Sequence, residues 1–545
     1  MSGRNALPLF LLAGSLFGQV SFDRIVAADQ EPQNWLTYSG TVLGQRYSRL
    51  NEITKDNVKN LEIQWIYQAS SLEKFEATPL VVNGVLYTVQ APNDIIALDA
   101  ATGRTFWHYS YNPSPKARPC CGHINRGLAI LGNTLFMGTV DAHLVAVDAK
   151  NGHLLWDTTV ANAESGYALT HAPLVVKDKV IVGTAGGEFG IRGFIAAYDV
   201  HTGKEIWRFY TVAGPGDPGR ETWGGDSWKT GGAPIWVTGS YDPALNLTYW
   251  GTGNPGPDWN GDPRPGDNLY SDSVVALDAD TGKLKWYYQF SPHDEFDHDS
   301  VQVPVLADLE WPDSSGQKQM RKVMLWANRN GVFYVLDRAT GQFLLGKPFG
   351  DVNWVSGFDE KGRPIRAPGK VPTVEGTMIY PGSEGATNWY SPSYSPRTGL
   401  FYVSTWADYG SIFFRVPVKY TEGRVYAGGW PKSHVPDGRA AESQRKDDEG
   451  HGSVRAIDPI TGARAWEFKM NDVTDAGVLT TASDLLFSGG REGYFFALDA
   501  RNGELLWKAT LGGVVASGPM SYSVSGRQYI AVAAGNSLFA FALKN

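Results

Sequence analysis

Short runs of alternating apolar and polar residues recur along the chain, the period-two pattern of half-buried strands, and most of them end in the same punctuation. That punctuation is Ala-x-Asp-x-x-x-Gly-x-x-x-Trp. It occurs at Ala97, Asp99, Gly103 and Trp107, at Ala146, Asp148, Gly152 and Trp156, and at Ala197, Asp199, Gly203 and Trp207. It returns at Ala276, Asp278, Gly282 and Trp286, at Ala456, Asp458, Gly462 and Trp466, and at Ala497, Asp499, Gly503 and Trp507. A degenerate copy carries Asp337 and Gly341 but has Leu345 in place of the tryptophan. Each copy predicts a strand, a tight turn capped by Asp and opened by a positive-φ Gly, and a returning strand that ends in Trp. One copy would be an ordinary hairpin. Seven copies, most of them roughly 40 to 60 residues apart, predict one four-stranded blade per repeat in an all-β propeller with tryptophan-docking repeats. A further strand, Leu61 to Trp65, lies one repeat length before Trp107 and brings the count to an eight-bladed β-propeller. The widest gap, between Asp337 and Asp458, predicts a top-surface insertion over residues 350–450.

Composition adds three points. The 63 glycines, 19 tryptophans and 25 tyrosines suit a protein of many tight turns and pleated, aromatic-rich sheets. The 48 basic against 56 acidic residues give a net charge of −8, and no run of Lys and Arg offers a phosphate-binding surface, which argues against nucleic acid as a partner. Residues 1–28 place Arg4 before the apolar run Ala6 to Phe17 and predict a signal peptide cleaved near Ala27 and Ala28, with an uncleaved interfacial anchor as the alternative. Residues 29–545 are then a single exported, periplasmic propeller domain. It should not span a membrane, because no other stretch approaches about 18 uninterrupted apolar residues.

Candidate chemistry lies in the loops. Cys120 and Cys121 are adjacent and are the only cysteines, readable either as two small buried hydrophobes or, in an exported chain, as a vicinal disulfide. No Cys-x-x-Cys-His occurs, so a covalently attached haem is excluded. Gly183-Thr-Ala-Gly-Gly-Glu-Phe-Gly190 presents Glu188 on a glycine-rich turn, and Gly251-Thr-Gly-Asn-Pro-Gly-Pro257 does the same for Asn254. Pro292 to Ser300 is the most acidic short stretch. Carboxylates and a carboxamide on rigid turns suit a hard cation that takes oxygen ligands.

These motifs, with Cys-Cys-Gly-His-Ile-Asn-Arg-Gly around Cys120 and Asp-Glu-Phe-Asp-His-Asp at residues 294–299, give the chain from about Asn34 onward a close resemblance to the quinoprotein alcohol dehydrogenases. That methanol/ethanol dehydrogenase family uses pyrroloquinoline quinone (PQQ). The resemblance implies that Glu188, Asn254 and Asp297 bind the metal, with Asp297 also the catalytic base. It implies that Cys120 and Cys121 form a vicinal disulfide on one face of the quinone and that Trp236 stacks on the other. Glu76, Arg126, Thr170, Arg329 and Asn388 fall at positions around the cofactor rim, with Gly186 and Gly187 in the adjoining turn. Asp299 matches the lanthanide-using branch, where calcium enzymes carry a small uncharged residue. Three carboxylates favour a lanthanide(III) over calcium. Three departures from the family pattern stand out: Ala185 for a hydroxyl residue, Pro234 for a threonine, and Asp475-Ala-Gly477 for a Trp-Gly-Gly run.

The expected reaction is oxidation of a primary alcohol to an aldehyde, with a separate soluble cytochrome c as electron acceptor. An aldehyde, polyol or sugar substrate is the near alternative, and a non-catalytic propeller scaffold the distant one. The oligomeric state is left open between a monomer and a homodimer.

Overall fold

The computed structural model describes residues 19–313, 315–433 and 451–544. Among them the chain forms a mostly-β propeller of eight four-stranded antiparallel sheets, one of which gains a short parallel strand, Tyr47–Ser48, beside Leu479–Thr481. Each repeat builds the outer half of one sheet. In the first, Asp94–Asp99 pairs with Thr105–Tyr109, and Asp99 accepts the backbone N–H groups of Ala101 and Thr102 to hold the turn between them. The register places each motif alanine opposite its tryptophan, as Ala97 faces Trp107, and a bulge follows directly. The same pairing and bulge occur at Ala197 and Trp207, Ala276 and Trp286, Ala456 and Trp466, and Ala497 and Trp507. A small residue opposite a large one, beside a kink, lets the indole leave its own sheet.

The indole then packs on the next repeat. Trp107 donates its N–H to the carbonyl of Ala149, one residue beyond Asp148 of the following turn, at 3.2 Å. Trp65, Trp156, Trp207 and Trp466 make the equivalent bond to Ala100, Val200, Ala279 and Ala500. Gly152 is the seat for Trp107: its φ is +74°, and a Cβ there would lie 2.6 Å from the indole. At the degenerate repeat Leu345 occupies the tryptophan's place, and the seam between Lys347 and Gly462 holds an open cavity of about 420 Å³.

The strand at Trp65 is not an independent repeat. Leu61–Gln68 pairs with Ser537–Leu543, so one sheet is assembled from both ends of the described chain. The insertion is likewise less continuous than the gap suggests. Ser393–Ser395 and Leu400–Ala407 are the inner strands of the sheet completed by His451–Ile457 and Arg464–Met470. Only the segments around them form the additional small sheets, Val355–Phe358 with Pro364–Arg366, and Thr377–Ile379 with Ser411–Arg415 and Gly429–Ser433.

Val20 exchanges backbone hydrogen bonds with Gly132, the helix Phe22–Val26 is capped by Ser21, and Ile25 is buried. The cleavage point expected near Ala28 therefore falls inside packed structure, and a cut there would strip an ordered element from the fold. The apolar run Ala6 to Phe17 lies outside the described residues. Among the described residues no helix is long and apolar enough to cross a membrane.

Candidate active site

Residues scattered over three hundred positions of sequence meet at one mouth of the propeller because they occupy equivalent places in successive sheets. Glu76, Arg126, Thr170, Trp236, Asp299 and Asn388 each stand three to six residues before the first strand of a sheet. Glu188, Asn254 and Arg329 each follow the second strand, within five residues of Gly183, Gly251 and Ala327. Loops entering and leaving the inner strands converge on the axis, which is where a ring of sheets can offer a shared cavity.

That cavity has a volume of about 290 Å³ and is lined by Glu76, Cys120, Cys121, Arg126, Thr170, Gly186, Glu188, Trp236, Asp297, Asp299, Arg329 and Asn388. Cys120 and Cys121 are joined as a disulfide, and Cys121 is exposed, so they are not a pair of buried hydrophobes. Their sulfurs lie within 4.8 Å of the Glu188 carboxylate. Two aromatic rings also line the cavity: the Arg126 guanidinium sits 5.0 Å from the Trp236 ring centre and 4.7 Å from that of Trp389. Arg126 is held there by an ion pair with buried Glu76 at 2.9 Å and by donation to Thr170 Oγ1 and to the Trp236 carbonyl.

The acidic side is organised around one guanidinium. Arg329 donates from Nη1 to Asp299 Oδ2 at 2.7 Å and from Nη2 to Asp297 Oδ2 at 3.0 Å, while its Nε is fixed by the Ser383 carbonyl at 2.9 Å. Asp299 Oδ1 accepts the Asn254 backbone N–H at 2.8 Å. Asp299 thus faces the cavity with both oxygens anchored. Asp297 has φ +59°, a left-handed conformation that aspartate tolerates better than most residues. Glu188 stands on the one-turn helix Gly187–Phe189, entered through Gly186 at φ +114°, where any Cβ would collide with the Gly166 carbonyl. Gly187 and Asn254 stand just behind the lining: a Cβ on Gly187 would lie 3.1 Å from Asn254 Oδ1.

Burial pushes Asp297 well above the usual carboxylate range; Arg329 opposes this, and Asp299, Asp258 and Glu188 add to it. Burial raises Glu188 to about 7. The Asn254 carboxamide is buried with neither its nitrogen nor its oxygen hydrogen-bonded among the described residues. Asp297 and Asp299 share Arg329, and with Glu188 and an unpartnered carboxamide they form an oxygen-rich set short of positive charge, which is the chemistry of a hard multivalent cation. The residues present therefore fit the metal that the resemblance implies, and Glu188, Asn254, Asp297 and Asp299 are the ones that would hold it. The disulfide, Trp236, Arg126 and Asn388 fit a flat anionic cofactor.

Sequence reasoning missed Lys74, Glu384 and Trp389, which also line the cavity. Lys74 carries no motif, and only its position two residues before Glu76 could have signalled it. The departures are local: Ala185 and Pro234 line the cavity as small apolar surfaces, while Asp475 turns to Arg491 at 3.1 Å and to Lys74 at 3.7 Å.

Comparison with known proteins agrees with this geometry. Residues 35–347 match the family described as glucose/ethanol/alcohol dehydrogenase, beta-propeller domain, and residues 450–545 match that of the outer membrane protein assembly factor BamB. Quinoprotein alcohol dehydrogenase PedH of Pseudomonas putida is 38% identical over 97% of this chain and 90% of its own length. The lanthanide-dependent methanol dehydrogenase of Methylacidiphilum fumariolicum is 37% identical over 97% of this chain and 89% of its own. A solved europium-containing methanol dehydrogenase superposes with a TM-score of 0.88 at 34% identity, covering 96% of this chain and all of that one. With the cavity, the disulfide and the clustered carboxylates in place, these matches settle the family: the chain belongs to the PQQ-dependent quinoprotein alcohol dehydrogenases.

Proposed function

We propose that the protein oxidises a primary alcohol to an aldehyde in the periplasm, using PQQ and one bound metal ion, a lanthanide(III) in preference to calcium, and passes the electrons to a soluble cytochrome c. The observation that carries this reading is the set of carboxylates lining one cavity, Asp297 and Asp299 bonded to Arg329 and Glu188 with them, together with the unpartnered carboxamide of Asn254. When bound, PQQ supplies a two-electron acceptor and the metal ion supplies Lewis acidity.

The chain's own residues divide the remaining work. Arg329 ties Asp297 through Oδ2, which leaves Oδ1 to accept the hydroxyl proton of an alcohol in the cavity. Asp299, anchored by Arg329 and by the Asn254 N–H, adds the negative charge that distinguishes a trivalent from a divalent site. The disulfide and Trp236 present the flat surfaces that fix a planar cofactor, and Arg126 and Lys74 supply cationic rim contacts for its carboxylates. The lanthanide preference is supported by Asp299 and by the printed names of two relatives, the lanthanide-dependent and the europium-containing methanol dehydrogenases.

The eight sheets are read as eight blades locked in sequence by tryptophan docking. The leader is read as ending before Val20, since Val20 pairs with Gly132 and Ile25 is buried.

The test is alcohol-dependent dye reduction by metal-free protein given PQQ with either lanthanum or calcium. Activity with lanthanum and little with calcium is the expected result. Activity with calcium alone would keep the enzyme and remove the metal assignment, and turnover of aldehydes, polyols or sugars in place of alcohols would move the substrate class.

A further inference from the structure

The equivalent positions that build the cavity have a seventh member. Asp475 stands four residues before the first strand of its sheet, Leu479–Thr481, as Glu76 stands four before Leu80–Val82 and Trp236 four before Ser240–Asp242. The other six members line the cavity directly. Asp475 is 4% exposed and meets the cavity through Lys74, a lining residue whose Nζ lies 3.7 Å from Asp475 Oδ2. On its other side Arg491 donates from Nε to Oδ2 at 3.1 Å and from Nη2 to Oδ1 at 3.2 Å, and the same guanidinium lies 4.7 Å from the Trp406 ring centre. A forked pair backed by an indole fixes a carboxylate in place, whereas an ammonium on a four-carbon stem takes the direction its partner gives it. Asp475 is therefore the anchored end of the contact, and the exposed Lys74 side chain is the end that is aimed.

The three cations that line the cavity, among the described residues, differ in how far their charge is already matched. Arg126 is matched by Glu76 at 2.9 Å, and Arg329 serves both Asp297 and Asp299. Lys74 has the longest pair of the three, and to a carboxylate that Arg491 already holds by both oxygens. Glu76 and Asp475 together face Arg126, Arg491 and Lys74, which leaves one positive charge in excess. The remaining carboxylates of the lining, Glu188, Asp297, Asp299 and Glu384, have Arg329 alone. A polyanionic cofactor entering this cavity meets its matching charge at Lys74. Resting on the PQQ reading above, we propose that Asp475 is a positioning residue for the cofactor: braced by Arg491, it aims Lys74 so that the ammonium meets a carboxylate of the quinone. An acidic residue thereby strengthens the binding of an anion, the reverse of what its charge alone would do.

The experiment measures PQQ affinity by equilibrium dialysis and quinone absorbance, with lanthanum in one series and calcium in another, for wild type, Lys74→Gln, Lys74→Arg, Asp475→Asn and the double variant Lys74→Gln/Asp475→Asn. Lys74→Gln should weaken PQQ by about tenfold, the weight of one charge-assisted hydrogen bond, and Lys74→Arg should restore most of that loss. Asp475→Asn should weaken PQQ by roughly threefold or more even though it removes a negative charge, and the double variant should bind no more weakly than Lys74→Gln, because both substitutions cut the same contact. Unchanged affinity in Lys74→Gln would overturn the proposal. Equal or tighter binding in Asp475→Asn would also overturn it, reducing Asp475 to its charge, as would losses that add in the double variant, which mark a structural role independent of Lys74. Wild type that binds no PQQ in either series would overturn the cofactor reading itself. Asp475→Ser must weaken PQQ in the same direction if Asp475→Asn does not fold.

Discussion

Asp297 and His171 show how differently two buried titratable residues are used. Asp297 is held in a left-handed conformation by its neighbours and tied by one oxygen, so it is oriented before any substrate arrives. Asp297→Asn should lower the turnover rate by roughly 10²- to 10⁴-fold, the usual weight of a general base, while PQQ remains bound, as steady-state kinetics alongside cofactor absorbance would show. His171, by contrast, is structural. Its Nδ1–H donates to the Ala172 carbonyl and its Nε2 accepts the Gly183 N–H, both at 2.8 Å, which fixes it as neutral. Burial lowers it from 6.5 to about 4. The unfolded chain therefore binds a proton that the folded chain refuses, so the stability is present above about pH 6.5 and is lost as pH falls toward 4. His171→Gln should remove about 3 kcal/mol of the stability lost over that interval, read as a flatter curve of denaturant midpoint against pH than wild type. Glu188, Asp297 and Asp299 were legible because the motifs that carry them resemble those of the family. Lys74 and Glu384 were not, because no motif marks them and only the fold brings them to the cavity.

The recurring element is a hairpin that exports its tryptophan. Its sequence signature was readable because every part of it is local: Asp caps the turn, Gly opens it, and Ala leaves room opposite Trp. What the Gly does for the neighbouring repeat could not be read from one copy, since its partner indole lies some forty residues earlier. Gly152→Ala should destabilise by roughly 1 to 3 kcal/mol, from a left-handed Cβ and a clash with Trp107, and Trp207→Ala by roughly 3 to 5 kcal/mol; urea unfolding midpoints would measure both. The composite sheet was hidden for the same reason on a larger scale. Nothing near Leu61–Gln68 announces that its partner strand is Ser537–Leu543.

At the scale of the whole molecule, the net charge of −8 bears on the electron acceptor. A basic cytochrome c steered by this field should lose electron-transfer rate steeply between low and physiological salt, and stopped-flow mixing across that range would show a flat profile if docking does not depend on charge. Deleting residues 61–68 should leave the strand Ser537–Leu543 as an open edge, lower the melting temperature by more than 10 °C and promote aggregation, visible by calorimetry and light scattering. The pairing of those two strands has a further meaning for biosynthesis. A nascent chain cut off before Ser537 can form most of its sheets yet can never join the first to the last. An interrupted product should therefore remain an arc with two unpaired strand edges, and limited proteolysis should cut it faster than the closed ring.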